Sequence, residues 1–226
     1  MSTESTSPPG HPLKTKVVAL CAILAIVASG LCIYLTQFRS PGLNVALHQA
    51  VGQVMADETA RIVGHVGKIV LITMDPGHAP ELKVQISAFE KHLKLLGGIT
   101  VQERIVLDPG DNPKFRPGSG LSAKRFLKIA RKHQGVDAIV SFVGAPQLEE
   151  GDLAQLKTPP KFIAETHSPE RSLVLLDKKI LLAAIVPRFE FPAPGPRKPG
   201  TSRQWFDRYF QVVSPGTPPP KPDELP

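Results

Sequence analysis

The sequence predicts an α/β protein: a three-layer sandwich with a mainly parallel sheet of about five strands, preceded by a single N-terminal transmembrane helix. Three observations predict it. Val17 to Thr36, VVALCAILAIVASGLCIYLT, is twenty residues long and uncharged. At about 1.5 Å of rise per residue it spans roughly 30 Å, the thickness of a bilayer's hydrocarbon core. Lys68 to Met74, KIVLITM, is a short apolar run bounded by Gly67 and Asp75-Pro76-Gly77. Such a run suits a strand buried on both faces, as in a parallel sheet. After it, apolar runs of strand length alternate with segments of helical periodicity as far as Val186. That alternation implies right-handed crossovers and helices on both faces of the sheet.

Residues 1–16 are rich in Ser, Thr and Pro at their start and are expected to be a disordered cytoplasmic N-terminus. Residues 17–36 are read as an uncleaved signal anchor. A lipoprotein signal is rejected because Leu20 and Leu31 precede the two cysteines, Cys21 and Cys32. Cleavage after Gly30 has suitable small residues in Ala28 and Gly30, and would release a secreted soluble domain. Against it, the apolar run continues through Leu31, Ile33, Tyr34 and Leu35, longer than the usual 7–15 residues or so of a signal's apolar core. Lys14 and Lys16 precede the run and only Arg39 follows it closely. The positive-inside rule therefore sets the N-terminus in the cytoplasm and the main domain outside, in a single-pass protein of the cell membrane. No cysteine follows Cys32, so the domain is not held by disulfides.

Residues 41–66 are expected to form a juxtamembrane helix. Leu47, Val51, Val54 and Ile62 recur at helical spacing, and this apolar face favours packing on the domain over a free stalk. Residues 67–188 make the α/β domain. Its first strand is KIVLITM. Pro80 to Leu96 is a helix with Leu82, Ile86, Phe89, Leu93 and Leu96 on one stripe, stopped by Gly97-Gly98. Ile99 to Leu107 is the second strand, and Asp108 to Gly120 a loop rich in Pro and Gly. Leu121 to His133 is a second amphipathic helix, with Ala123, Phe126, Leu127 and Ala130 inward. Val136 to Val143 and Lys161 to Glu165 are the third and fourth strands. Ser168-Pro169-Glu170 has the form of a helix start, giving a short helix to Asp177 and a fifth strand over Ile180 to Val186. A hairpin turning at Asp177-Lys178 is the alternative. Residues 189–213 are a proline-rich linker and an aromatic C-terminal helix, Thr201 to Val213, carrying Trp205, Phe206, Tyr209 and Phe210 to dock on the domain. Residues 214–226 are a proline-rich tail expected to be disordered.

The segments KIVLITMDPG, the helix after it and GVDAIVSFVGAP, within Lys68 to Arg188, resemble at the level of fold one lobe of a type I periplasmic binding protein, a Rossmann-like or flavodoxin-like α/β domain. That resemblance implies ligand binding between two lobes. This chain has residues for one lobe only, so the second wall would have to come from another chain.

In an open parallel sheet, ligands bind outside the carboxyl ends of the strands. The rule nominates Asp75 and His78 after the first strand, Ser141 at the end of the third, and Glu165 and His167 at the end of the fourth. Asp75, His78, Glu165 and His167 together offer oxygen and nitrogen donors of the kind that bind zinc or perform acid–base chemistry. The ordinary alternative is that they are solvated turn residues, since Asp-Pro-Gly is common turn chemistry. No cofactor is implied. The first strand–helix turn, DPGHAPE, lacks the glycines of a dinucleotide fingerprint, and there is no phosphate-binding P-loop and no G-x-S-x-G elbow. The function expected is therefore a binding or scaffold module, with a metal-dependent or acid–base enzyme as the alternative.

The formal net charge is +7, of which residues 1–16 contribute only +1. A basic stripe stands out: Lys124, Arg125, Lys128, Arg131 and Lys132 on the outer side of the second amphipathic helix, preceded by Lys114 and Arg116. Each such residue near an anionic membrane contributes about 1 kcal/mol. The expected partners are membrane lipid, through the anchor, and a protein partner or second copy of the chain. Nucleic acid is disfavoured, because no aromatics interleave with the stripe. A solvated helix face is the plain alternative.

Overall fold

The computed structural model describes residues 12–33, 43–75, 77, 79–108, 120–156, 158–167, 169–188 and 199–216. Two compact units are present, Met1–Leu43 and Asn44–Pro226.

The first unit contains one helix, α1, Pro12–Ile33. Proline opens it, where its missing N–H costs nothing. Its described side chains run from Val17 to Gly30 and all are exposed, Ile26 at 71%. That stretch of helix is about 21 Å long. Among the described residues, no helix is long and apolar enough to cross a membrane. The transmembrane helix expected over Val17 to Thr36 is therefore not supported as a membrane span: the segment is helical as far as Ile33, and residues 34–36 lie outside the described ones.

The second unit begins with α2, Val45–Val63. Asn44 caps it, its side chain accepting from the Leu47 amide at 3.1 Å, and Gly64 ends it in the left-handed region at φ 93°. Ala50, Val51, Val54, Met55, Ala56 and Ala60 are buried. The helix packs on α3, α7 and the sheet, so it is built into the domain.

Then follow β1 (Gly67–Met74), α3 (Pro80–Leu96), β2 (Ile99–Leu107), α4 (Ala123–Lys132), β3 (Ala138–Ser141), α5 (Glu150–Leu153), β4 (Lys161–Glu165), α6 (Pro169–Asp177), β5 (Leu181–Pro187), α7 (Ser202–Tyr209) and β6 (Phe210–Val213). The sheet order is β2-β1-β3-β4-β5-β6. Neighbours are parallel from β2 through β5, and β6 runs antiparallel to β5. The chain moves outward from β1 to β2, returns past β1 to β3, and continues in that direction. Right-handed crossovers then set α3 on one face and α4 on the other, a doubly wound sandwich.

Burial follows from the sequence. Ile69 to Ile72 of β1 are fully buried because helices cover both faces. Phe89 of α3 meets Phe142 edge-on, with centroids 5.4 Å apart, and Phe126 of α4 meets Phe162 of β4 at 5.1 Å. Such pairs add about 0.5–1.5 kcal/mol beyond the area they bury. On the α3 stripe Leu82, Ile86, Phe89 and Leu93 are buried, whereas Leu96, at the open end, is 36% exposed.

Two expectations are corrected. Among the described residues the sheet has six strands, and the helix expected from Thr201 to Val213 stops at Tyr209. Thr201 and Gln204 form a capping box at its start. Phe210 is extended (φ −133°, ψ 164°), and Phe210 to Val213 pair with Pro187 to Ala184. The β-branched Val212 and Val213 suit that edge, and the pairing satisfies backbone groups that β5 would otherwise leave open. At residues 169–177 the helix is found and not the hairpin.

Candidate functional site

A cavity of about 180 Å³ lies at the carboxyl ends of β1, β3 and β4. Met74 ends β1, Phe142, Val143 and Gly144 follow β3, and Glu165 and His167 come from the end of β4. Ala79, Glu81, Leu82 and Gln85 of the start of α3, His48 of α2 and Phe210 of β6 complete its described walls.

Glu165 is the centre of this site. It is 6% exposed, and Gln85 Nε2 donates to its Oε1 at 3.0 Å. Its Oε2 is buried without a hydrogen-bond partner among the described residues. Burial pushes its pKa up to about 7, against the pull of the Gln85 hydrogen bond, and the nearby charge of Glu81 adds to the rise. At neutral pH it therefore stands between acid and carboxylate.

Gln85 holds two partners at once. The same Nε2 lies 3.4 Å from Nδ1 of His48. An amide nitrogen only donates, so Nδ1 accepts and the neutral imidazole carries its proton on Nε2. Burial lowers the His48 pKa, with Glu81 opposing, and burial lowers that of His167. Both imidazoles are kept towards their neutral forms.

The position of Gln85 is set by a close helix crossing. Gly52 of α2 faces the Gln85 backbone, and a methyl group there would overlap the Gln85 carbonyl oxygen. Glycine lets α2 and α3 approach until the chain His48–Gln85–Glu165 closes. Glu81 sits in the first turn of α3, where a carboxylate answers the positive end of the helix dipole.

Of the residues nominated from the sequence, Glu165 and His167 line the cavity. Ser141 is buried and is not among the lining residues. Its hydroxyl donates to the Gly144 carbonyl at 2.8 Å and accepts from the Val143 amide at 3.3 Å, so it shapes the turn after β3. Asp75 is exposed and accepts from the Gly77 amide at 3.0 Å, the turn role that Asp-Pro-Gly suggests. His78 lies outside the described residues. No group of three or more His, Cys, Asp or Glu suited to a metal ion occurs among the described residues.

On α4, Lys132 is committed to Glu103 of β2 (2.8 and 2.9 Å), and Arg131 donates to Gln155 at 2.6 Å. The Lys132 hydrogen bond lowers the Glu103 pKa. Lys124 and Lys128 are exposed and Arg125 half-buried, while Lys114 and Arg116 lie outside the described residues. Part of the stripe is thus engaged within the domain.

His48, Glu81 and Gln85 were not nominated from the sequence. Gln85 alone carried a signal: it is a polar residue set between the inward-facing Leu82, Ile86 and Phe89.

No protein-family model matches the sequence, and no curated protein matches it. Solved structures do share its fold. The arabinose binding protein AraP from Geobacillus stearothermophilus is 14% identical, with TM-score 0.50 over 74% of this chain and 60% of its own. An ABC transporter solute binding protein from Burkholderia graminis, in complex with D-arabinose, is 20% identical, with TM-score 0.45 over 62% of this chain and 47% of its own. A sugar-binding protein from Bacillus halodurans is 17% identical, with TM-score 0.47 over 62% of this chain and 45% of its own. The chain spans about half the length of these proteins, and at these identities the likeness is one of fold. It agrees with the resemblance to one lobe of a periplasmic binding protein.

Proposed function

We propose that this chain is a membrane-anchored binding module whose domain takes a small polar ligand at the carboxyl ends of β1, β3 and β4. The observation that carries the reading is Glu165: a buried carboxyl with one oxygen unpartnered among the described residues, at the wall of a cavity where open parallel sheets bind ligands. An unmet buried acceptor costs about 1–3 kcal/mol, which a ligand's donor relieves. The neighbours of like fold are described as sugar-binding proteins, which supports binding over catalysis.

The anchor reading rests on the uncharged run from Val17 to Thr36, the helix over Pro12–Ile33 and its exposed apolar side chains. Lys14 and Lys16 against Arg39 set the N-terminus in the cytoplasm and the domain outside.

A thermal-shift screen of small polar metabolites on the full chain in detergent tests the binding reading. The expected hit raises Tm and slows amide exchange at residues 142–144 and 165–167. Hits that protect only other segments, or none at all, would overturn it.

A further inference from the structure

We propose that the strand-end cavity recognises a primary ammonium group on a small organic molecule, through Glu165, Glu81 and the rings of Phe142 and Phe210. The proposal rests on the reading of this cavity as the binding site and names the class of ligand.

The charge of the lining leads to it. Its titratable residues among the described ones are His48, Glu81, Glu165 and His167, and no lysine or arginine stands with them. Desolvation disfavours the charged form of both imidazoles. The positive end of α3 is already answered by Glu81 in its first turn. Once Glu165 is ionised, its negative charge, shared by both carboxylate oxygens, has no lysine or arginine partner among the described lining residues.

Ligand classes separate on that charge. A carboxylate or phosphate entering the cavity meets two glutamates and, among the described lining residues, no lysine or arginine. A neutral polyol can donate a charge-assisted hydrogen bond to Glu165 but brings no charge to neutralise it. An ammonium group donates three hydrogen bonds, neutralises Glu165 and is attracted by Glu81. Phe142 and Phe210 also line the cavity, and aromatic faces attract ammonium groups. Volume limits size. A cavity of about 150 Å³ holds a benzene molecule, so one of about 180 Å³ suits roughly six to eight non-hydrogen atoms.

Titration calorimetry on the full chain in detergent at pH 8, with n-butylammonium, 1-butanol, butyrate and D-arabinose as probes, tests this. Butylammonium is expected to bind at least tenfold more tightly than 1-butanol, with butyrate silent. Glu165→Gln is expected to weaken butylammonium at least tenfold and leave 1-butanol unchanged, with circular dichroism showing that it folds. Should that variant not fold, Glu81→Gln is expected to weaken butylammonium about threefold. Slowed exchange at residues 142–144 and 165–167 places the probe in the cavity. Tighter binding of D-arabinose or 1-butanol at those segments overturns the ammonium assignment and leaves the binding module standing. Butylammonium binding that neither variant changes, or no binding by any probe, also overturns it. Failure of the broad metabolite screen is what overturns the binding module itself.

Discussion

Glu165 makes the domain's stability depend on pH in a direction opposite to that of most carboxylates. Its pKa is raised from about 4.5 to about 7 on folding. Between those values the folded state holds a proton that the unfolded chain has released, so stability is highest below the lower value, falls as pH rises through the window, and levels off above pH 7 or so. The rise amounts to about 3 kcal/mol at roughly 1.4 kcal/mol per unit. His48 and His167 act oppositely: their lowered pKa values remove stability as pH falls below about 6.5. Comparing wild type with Glu165→Gln cancels the histidines. Urea unfolding is expected to show the variant gaining about 3 kcal/mol on the wild type between pH 4.5 and 8. Parallel curves would show that Glu165 is not buried as described. At this scale the sequence was partly legible. The strand-end rule reached Glu165 and His167 without coordinates. It did not reach His48, whose partner Gln85 is 37 positions away, because only the helix crossing brings the two together.

That crossing is the device through which elements build the site. Gly52→Ala places a methyl on the Gln85 carbonyl oxygen, so α2 and α3 must separate. A loss of about 1–3 kcal/mol in urea unfolding is expected, as for other overpacked contacts. The C-terminal segment holds by a different contact. Phe206 is fully buried and stacks on Phe210 with centroids 5.9 Å apart. Phe206→Ala is expected to cost about 3–5 kcal/mol and to speed amide exchange along β6 before the rest of the sheet. The same segment shows why element boundaries resist reading. The apolar run Ile69 to Ile72 declares a buried strand by itself, as does the 3–4 spacing on α3. Trp205 to Val213 carries aromatics through its helical part and two valines at its end, with no break between them, and its change from helix to strand is decided by the open edge of β5, a partner remote in sequence. The four residues of α5 are too few to show a period.

For the whole molecule, the two compact units carry separate predictions, one for each. Asn44–Pro226 contains the sheet and both glutamates of the cavity. Met1–Leu43 contains α1, whose apolar side chains have no place in a core: Val18, Leu20, Ile23, Leu24, Ile26 and Val27 are all at least 58% exposed. In water that face costs about 25 cal/mol for each Å² of apolar surface left uncovered, and a bilayer removes the cost without any protein partner. The full chain is therefore expected to stay with the membrane pellet through alkaline carbonate extraction. Ile26→Arg, near the middle of the run, adds roughly 3 kcal/mol to insertion and should move a measurable share of the chain into the supernatant. The same substitution leaves ligand binding by the second unit unchanged, because Ile26 belongs to the first. Cleavage after Gly30 makes the opposite prediction at every step: a mature mass lacking thirty residues, a chain recovered in the supernatant, and no effect of Ile26→Arg on the distribution of the processed domain. Mass spectrometry of the chain from its native host decides between the two, and an intact N-terminal peptide in the membrane fraction is the result expected.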